Sequence, residues 1–422
     1  MKSNCSSIRS LISNWPVVQL GDVADVFRGT SYTGGELSVD DRLPTLIGMG
    51  EIVGGGGLKL TNARHYAGRI KDTQFVRYDD IVVAMTDLTQ DGRLLGSPAQ
   101  IPLPNRDQQF IVSHHLQIVR CNDRVVPEFL KFVFLGPDWF SFVRGVSTGT
   151  TVRAVSADDA KRFSFPLPSF DIQSRIVRVL SPLLQKVESN ARLAGLIEEE
   201  LRLAFNCEFE VAPRLSGVAL SEIVDFKSKR RPTSSVRAAR YVPMSSLPTD
   251  SASIEKWEER QIGSGQKFVN GDVLLARITP CLENGKAGIV DFLDEGEVGW
   301  GSTEYLVLSG RHCPMTVWIY CLVRSSHLRE FAIRHMTGTS GRQRCSAAAF
   351  DSYFVEGLNV DTIADFCRRF DSRLKSLSQL RDENSLLRQL LKLLVPGLVS
   401  GRLNLGNEGS VDSAQRAGGC NV

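Results

Sequence analysis

Apolar positions in this chain follow two different periods that alternate along its length. Short unbroken runs such as Asp80-Ile81-Val82-Val83-Ala84 and Asp272-Val273-Leu274-Leu275-Ala276 follow turn residues and predict buried strands. Segments 127–143 and 314–334 space aromatic and aliphatic residues for helices and open with proline, a favoured first-turn residue. Two longer stripes stand apart. The first runs Ile176, Leu180, Leu183, Val187, Asn190, Ala194, Ile197, Leu201, Ala204; the second runs Ile363, Phe366, Phe370, Leu374, Leu377, Leu380, Asn384, Leu387, Leu391, Leu394. Their steps of four and three give the 3.5-residue period of a coiled-coil seam, each with one asparagine. Ser181-Pro182 fits a fresh cap and first turn, so a short helix could precede a longer one in the first stripe. Pro396-Gly397 is expected to end the second. Both stripes far exceed the usual helix of about 11–12 residues. They predict two helices paired as an antiparallel rod roughly 50 Å long.

The chain also repeats itself. Residues 19–26 (QLGDVADV) align with 219–226 (ALSEIVDF), Ile47-Gly48-Met49 with Val242-Pro243-Met244, and the two strand runs with each other. Ser113 and Ile118-Val119 align with Ser302 and Val307-Leu308, Thr148-Gly149-Thr150 with Thr337-Gly338-Thr339, and Asp171 with Asp361. Each match is weak, but all keep one order while the offset shrinks from 200 to 189 residues. A duplicated unit follows, a head and then a long helix, twice. The expected fold class is α+β, with two similar heads of α/β texture separated by two long antiparallel coiled-coil-like helices under a pseudo-twofold internal repeat. Two heads on such a rod would reach DNA segments a helical turn or more apart, roughly 34–36 Å or beyond.

Composition narrows the class without deciding it. The 422 residues suit two or three domains; 42% hydrophobic and 23% charged content are those of a globular protein. A net charge of +3 does not by itself imply nucleic acid, since a binder can be locally basic and globally neutral. No apolar run reaches the length of a membrane span, and the opening MKSNCSSIRSLISNW lacks a signal-peptide core. The nine cysteines form no Cys-x-x-Cys pair, which reads as reduced thiols in a cytosol.

A catalytic centre is hard to find. Gly54-Gly55-Gly56-Gly57 lacks the following Gly-Lys-Ser/Thr of a phosphate loop and reads as a flexible turn. Neither the glycine-rich turn nor the Asn-Pro-Pro-aromatic loop of a base methyltransferase occurs. Pro137-Asp138 with Asp159-Ala160-Lys161 fits a permissive nuclease pattern only loosely. His114-His115 is placed in a strand, where neighbours face opposite sides, a poor arrangement for one metal; the pair reads as structural or DNA-contacting. There is no Gly-x-Ser-x-Gly elbow.

Cations instead gather near glycine, serine and threonine, in keeping with phosphate and base-edge contacts. In the first head these are Lys59, Arg64, Arg69, Arg93 and Arg106, with Thr148, Thr150 and Arg153 on a Thr-Gly-Thr loop. In the second they are Lys227, Lys229, Arg230, Arg231 and Lys267, with Thr337, Thr339, Arg342 and Arg344 on the matching loop. Solvated connecting turns, and for 227–231 an ordinary charge run, are the plainer alternatives.

The arrangement resembles the specificity subunit of type I restriction–modification systems. The resemblance is carried by residues 15–23 (WPVVQLGDV), the Thr-Gly-Thr loops and, above all, residues 165–176 (FPLPSFDIQSRI) leading into the first long stripe. With the duplication it extends over residues 15–400. It implies a non-catalytic, cytoplasmic subunit that binds double-stranded DNA, each head reading one half of a bipartite target. The helices would dock two methyltransferase subunits through Ile176, Leu183, Val187, Ile197, Leu201, Phe366, Phe370, Leu377, Leu387 and Leu391. Restriction/translocase subunits would complete the complex. No cofactor or metal is expected in this chain; S-adenosylmethionine, ATP and magnesium would sit on the partners. The corresponding divisions are an N-terminal segment 1–14, recognition domains 15–170 and 213–360, helical spacers 171–206 and 361–400, and a disordered tail 406–422. One departure stands out: residues 354–363 (FVEGLNVDTI) lack the prolines and glutamine of the first junction. A protein-binding coiled-coil scaffold, or a DNA-binding subunit fused to an unrecognised nuclease, are the competing readings.

Overall fold

The computed structural model describes residues 15–60, 64–87, 92–101, 108–149, 152–226, 238–339 and 341–405. The expected N-terminal segment and tail, and Arg106, Thr150, Lys227, Lys229, Arg230 and Arg231, lie outside these. The chain divides into two compact units, residues 1–185 with 388–422, and residues 186–387; the division cuts through both long helices.

In the first unit a four-stranded antiparallel sheet has the order Ala24–Arg28, Leu116–Cys121, Ile81–Ala84, Pro98–Gln100. A second sheet has the order Leu37–Ser38, Arg64–Tyr66, Thr45–Ile47, Phe110–Val112, its last two strands parallel. Strand 81–84 is buried at every residue because alternate side chains enter two different cores. Ile81 and Val83 join Val119, Phe129, Trp139 and the helices, whereas Val82 and Ala84 join Leu116, Ile118 and Phe110. A continuous apolar run is what a strand covered on both faces requires. The helix expected over 127–143 is two, Pro127–Phe134 and Pro137–Val146. Gly136 stands between them in extended backbone and caps the second, with Pro137 in its first turn.

The second unit repeats this design. Its main sheet runs Val224–Asp225, Tyr305–Gly310, Val273–Ala276, Ala287–Ile289, element for element in the same order. Here too Val273 and Leu275 enter one core and Leu274 and Ala276 another. The second sheet runs Glu258–Arg260, Ala239–Val242, Gly299–Gly301, Gln266–Phe268, with Ala239–Val242 and Gly299–Gly301 parallel. The segment 314–334 again forms two helices, Thr316–Arg324 and Ser326–Arg334.

The junction that seemed hardest to match is equivalent at the level of the backbone. In the first unit Val17–Gln19 pairs antiparallel with Ser164–Pro166, and Leu20 N–H donates to Phe163 O at 2.8 Å. In the second Val218–Ala219 pairs with Phe354–Val355, and Leu220 N–H donates to Tyr353 O at 2.8 Å. Main-chain pairing survives the loss of the prolines because it uses no side chain.

The long helices are Phe170–Glu208 and Val360–Val399. Pro182 lies inside the first, so the expected break at Ser181-Pro182 does not occur. Its missing N–H leaves one helical bond unmade, but Leu180 and Leu184 on either side pack with Leu391, Leu394 and Val395 in the core of the first unit. Pro396 is likewise internal. Val395, Leu398 and Val399 are buried, and two residues past the helix end stands Gly401, whose φ of +74° only glycine adopts readily. Gly401 N–H then donates to Leu398 O and Leu403 N–H to Gly397 O, closing the exposed carbonyl end. In the second unit the helical stretches run antiparallel: Lys186 pairs with Glu383 at 3.3 Å, Glu200 with Arg373 at 2.7 Å, and Glu208 with Arg369. Among the described residues no helix is long and apolar enough to cross a membrane.

Candidate nucleic-acid interface

In the first unit, strands 24–28 and 81–84 end where strand 116–121 begins, and Thr148-Gly149 lie at that end. Thr148 and Ala154 exchange two backbone hydrogen bonds of 3.0 Å, and Arg153-Ala154 pairs with Thr86-Asp87. Gly149 is obligatory at the tip: its φ is +98°, and a Cβ there would lie 2.0 Å from Val152 O. Asp87, 1% exposed, accepts from the N–H groups of Leu94 and Leu95 at 2.6 and 2.9 Å. It thereby folds the turn that carries Arg93 back toward the loop. A Cβ added at Gly92 would stand 3.3 Å from Arg153 Nη1, so Arg93 and Arg153 belong to one basic edge with exposed Thr148.

Lys59, Arg64 and Arg69 are exposed but belong to the second sheet, Arg64 on a strand and the others flanking it. They are not drawn to the loop end by any described contact. His114 and His115 lie in a turn, not a strand, so the expectation that they face apart fails: their rings lie against each other with centroids 3.9 Å apart and planes tilted by 39°. Burial, then His114 and Arg28, hold the His115 imidazole below its ordinary range. The buried hydroxyls of Thr30 and Ser113 and the Nδ1 of His114 have no partner among the described residues.

The second unit presents the matching end differently. Thr337 pairs with Arg344, Gly338 has a φ of +123°, and Thr337, Thr339 and Arg342 are exposed. Arg344 is not a free cation. It gives Glu304 bonds of 2.9 and 3.0 Å from Nε and 2.8 Å from Nη2, while Arg277 Nε reaches the same carboxylate at 3.2 Å. The Arg344 hydrogen bonds hold the Glu304 carboxyl below the usual carboxylate range. Lys267 is half-buried on the strand paired with Gly299–Gly301. Neither Arg277 nor Glu304 was among the sequence candidates, although Arg277 directly follows the aligned strand 272–276.

The helix positions expected to dock partners need correction. Ile176, Val187, Ile197, Leu201, Phe366 and Leu377 are 0–8% exposed. Ile176 belongs to the first unit's core and Ile197, Leu201, Phe366 and Leu377 to the second's. Phe370 and Leu391 pack against those cores, and Leu183 and Leu387 are half-buried. Most of the seam is thus buried within the chain itself. The apolar side chains these helices do expose are others, including Leu193, Leu196, Leu203 and Leu386 of the second unit at 47%, 66%, 51% and 66%. Leu193 and Leu196 line a groove of about 520 Å³ with Ile197 and Leu380, rimmed by Glu200 and Arg373. Among the described residues no three His, Cys, Asp or Glu side chains are grouped to hold a metal ion.

Residues 12–199 match the type I restriction modification DNA specificity domain. The chain is similar to two Escherichia coli proteins, the type I restriction enzyme EcoEI specificity subunit (30% identity over 194 residues) and the EcoAI specificity subunit (27% over 197). Each match covers 44% of this chain and 31% of the relative, so the matched stretch spans under a third of those proteins. Among solved structures, the S subunit of the type I restriction-modification system from M. genitalium superposes with a TM-score of 0.54 at 14% identity, covering 94% of this chain and 98% of that one. Residues 12–199 thus match the type I restriction modification DNA specificity domain, and the chain as a whole shares the fold of the M. genitalium S subunit.

Proposed function

We propose that this chain is a non-catalytic DNA-reading subunit, each unit recognising one half of a split duplex target. One observation carries the reading: both units set a Thr-Gly loop with exposed cations at the same end of the same four-stranded sheet, on equivalent main-chain bonds but with different side chains. A common frame with differing side chains suits two half-sites of different sequence. Hydroxyls and backbone N–H groups take phosphates, and side chains take base edges.

Methyltransferase subunits would dock on the helices through the exposed leucines rather than through the buried seam. Restriction/translocase subunits would complete the assembly, and S-adenosylmethionine, ATP and magnesium would be bound by those partners. The test is methylome sequencing of cells expressing the chain with its methyltransferase, with and without exchange of residues 15–150 for those of a relative. The exchange should change one half-site only; change in both halves would sink the assignment of one unit to one half. The scaffold reading is separated by duplex binding over a salt series, where protein-only function predicts no salt-dependent association.

A further inference from the structure

The loop ends of the two sheets can be superposed bond by bond. Met85 N–H donates to His115 O at 3.1 Å and Val155 N–H to Met85 O at 2.9 Å. Arg277 N–H donates to Glu304 O at 3.0 Å and Cys345 N–H to Arg277 O at 2.9 Å. Met85 is thus equivalent to Arg277, His115 to Glu304, and Ala154 to Arg344. Three side-chain positions on one frame carry unrelated chemistry in the two units.

In the second unit the three form a brace. Glu304 engages Arg344 through Nε and Nη2, and the remaining Arg344 Nη1 goes to Arg342 O at 3.1 Å. Arg277 is gripped only by its inner nitrogen, Nε. Its two terminal nitrogens make no hydrogen bond among the described residues, and its side chain is 30% exposed. A half-exposed ion pair contributes little to stability. A carboxylate that fixes an arginine by its inner edge does something else: it presents a planar pair of donors with the rotamer already chosen. That outer fork matches the O6 and N7 acceptors of guanine in the major groove.

Resting on the function proposed above, we propose that Arg277 reads a guanine in the half-site of the second unit, with Glu304 and Arg344 as positioning residues that hold its fork. The first unit has Met85, His115 and Ala154 at these positions and no such fork, so the corresponding base of its half-site is read by other means.

The test selects duplexes from a randomised library with the full chain assembled with its methyltransferase partner. If the wild type selects no split site, the DNA-reading function falls and this inference with it. If it does, Arg277→Lys, which keeps the charge without the fork, and Arg277→Met, which installs the first unit's residue, are compared. Both should retain the first half-site and lose preference for one guanine of the second by about ten-fold or more. Placing 7-deazaguanine at that position should weaken the wild type by a similar factor and leave Arg277→Met unchanged. Glu304→Gln should reduce the same preference partially and touch no other position. Should Arg277→Met lose the whole second half-site, Arg277→Lys decides: loss confined to one guanine supports the assignment. Retention of every preference, or loss of the entire half, by Arg277→Lys overturns it while leaving the split-site function standing.

Discussion

Asn190 Nδ2 donates to Asn384 Oδ1 at 3.1 Å, joining the one polar member of each long apolar stripe at a buried point of the seam. Asn190 Nδ2 also reaches Glu383 at 2.7 Å, and Asn384 Nδ2 reaches Val187 O at 3.3 Å. Two leucines would bury more apolar area, but only one helix register lets the two amides meet. Asn190→Leu alone should destabilise the chain by about 1–3 kcal/mol, since it strands a buried acceptor. The double variant Asn190→Leu/Asn384→Leu should recover most of that loss. Urea unfolding of the four-member cycle checks it; additive single effects would mean the pair is not coupled.

Under the proposed docking, Leu196 and Leu201 separate partner capture from folding. Leu196→Asp, at an exposed position, should abolish co-purification with the methyltransferase while leaving the unfolding midpoint nearly unchanged. Leu201→Ala, at a fully buried one, should cost about 2–5 kcal/mol. Partner capture that survives Leu196→Asp would place the docking surface elsewhere.

Arg381 holds the second head onto its helix. Its side chain, 5% exposed, pairs with Asp291, and with Asp382 at 2.9 Å; Ser378 Oγ also donates to Asp291. Removing Asp291 leaves the buried guanidinium only the exposed Asp382 carboxylate, so Asp291→Ala should destabilise by about 3 kcal/mol. Arg381→Met added to it should restore much of the loss, as measured by calorimetry.

Under the proposed function, Arg153, exposed on the strand that follows the first loop, contacts phosphate. Arg153→Ala should weaken binding about equally for all sequences and lower the slope of log affinity against log salt by about 1. A change in base preference instead would make Arg153 a reader.

Glu198 gives a pH signature. Burial raises its carboxyl above the ordinary 4.5, against the opposing hydrogen bonds from Ala252 N–H at 2.8 Å and Tyr320 OH at 3.2 Å. An acid with a raised folded value binds its proton more tightly when folded. Its contribution is therefore complete below about pH 4.5 and is lost as pH rises through the higher folded value. Glu198→Gln should flatten this decline in a melting-temperature series from pH 4 to 8, while Glu198→Ala should destabilise by about 1–3 kcal/mol at every pH by orphaning Ala252 N–H and Tyr320 OH.

Much of this is legible in the sequence. The runs 81–84 and 273–276 announced buried strands, and the two stripes, each with one asparagine, announced the paired long helices. What escaped had physical reasons. A seam pattern says which side chains are buried but not whose surface buries them, which is why Ile176, Ile197 and Phe366 looked like docking residues. Gly136-Pro137 signalled a helix break that aromatic spacing masked. Arg277 and Glu304 escaped because they lie just beyond aligned strand positions, where the repeat fixes backbone and leaves side chains free.

That freedom has a consequence for how new targets arise. The contacts that hold Met85, His115 and Val155 together, like those holding Arg277, Glu304 and Cys345, run from amide to carbonyl. Such a chassis is indifferent to what hangs from it. Met85, 2% exposed, is held in the core, but half-buried positions such as His115 and Glu304 can change with the sheet end unmoved; under the proposed function, target preference then shifts through a few codons rather than a new fold.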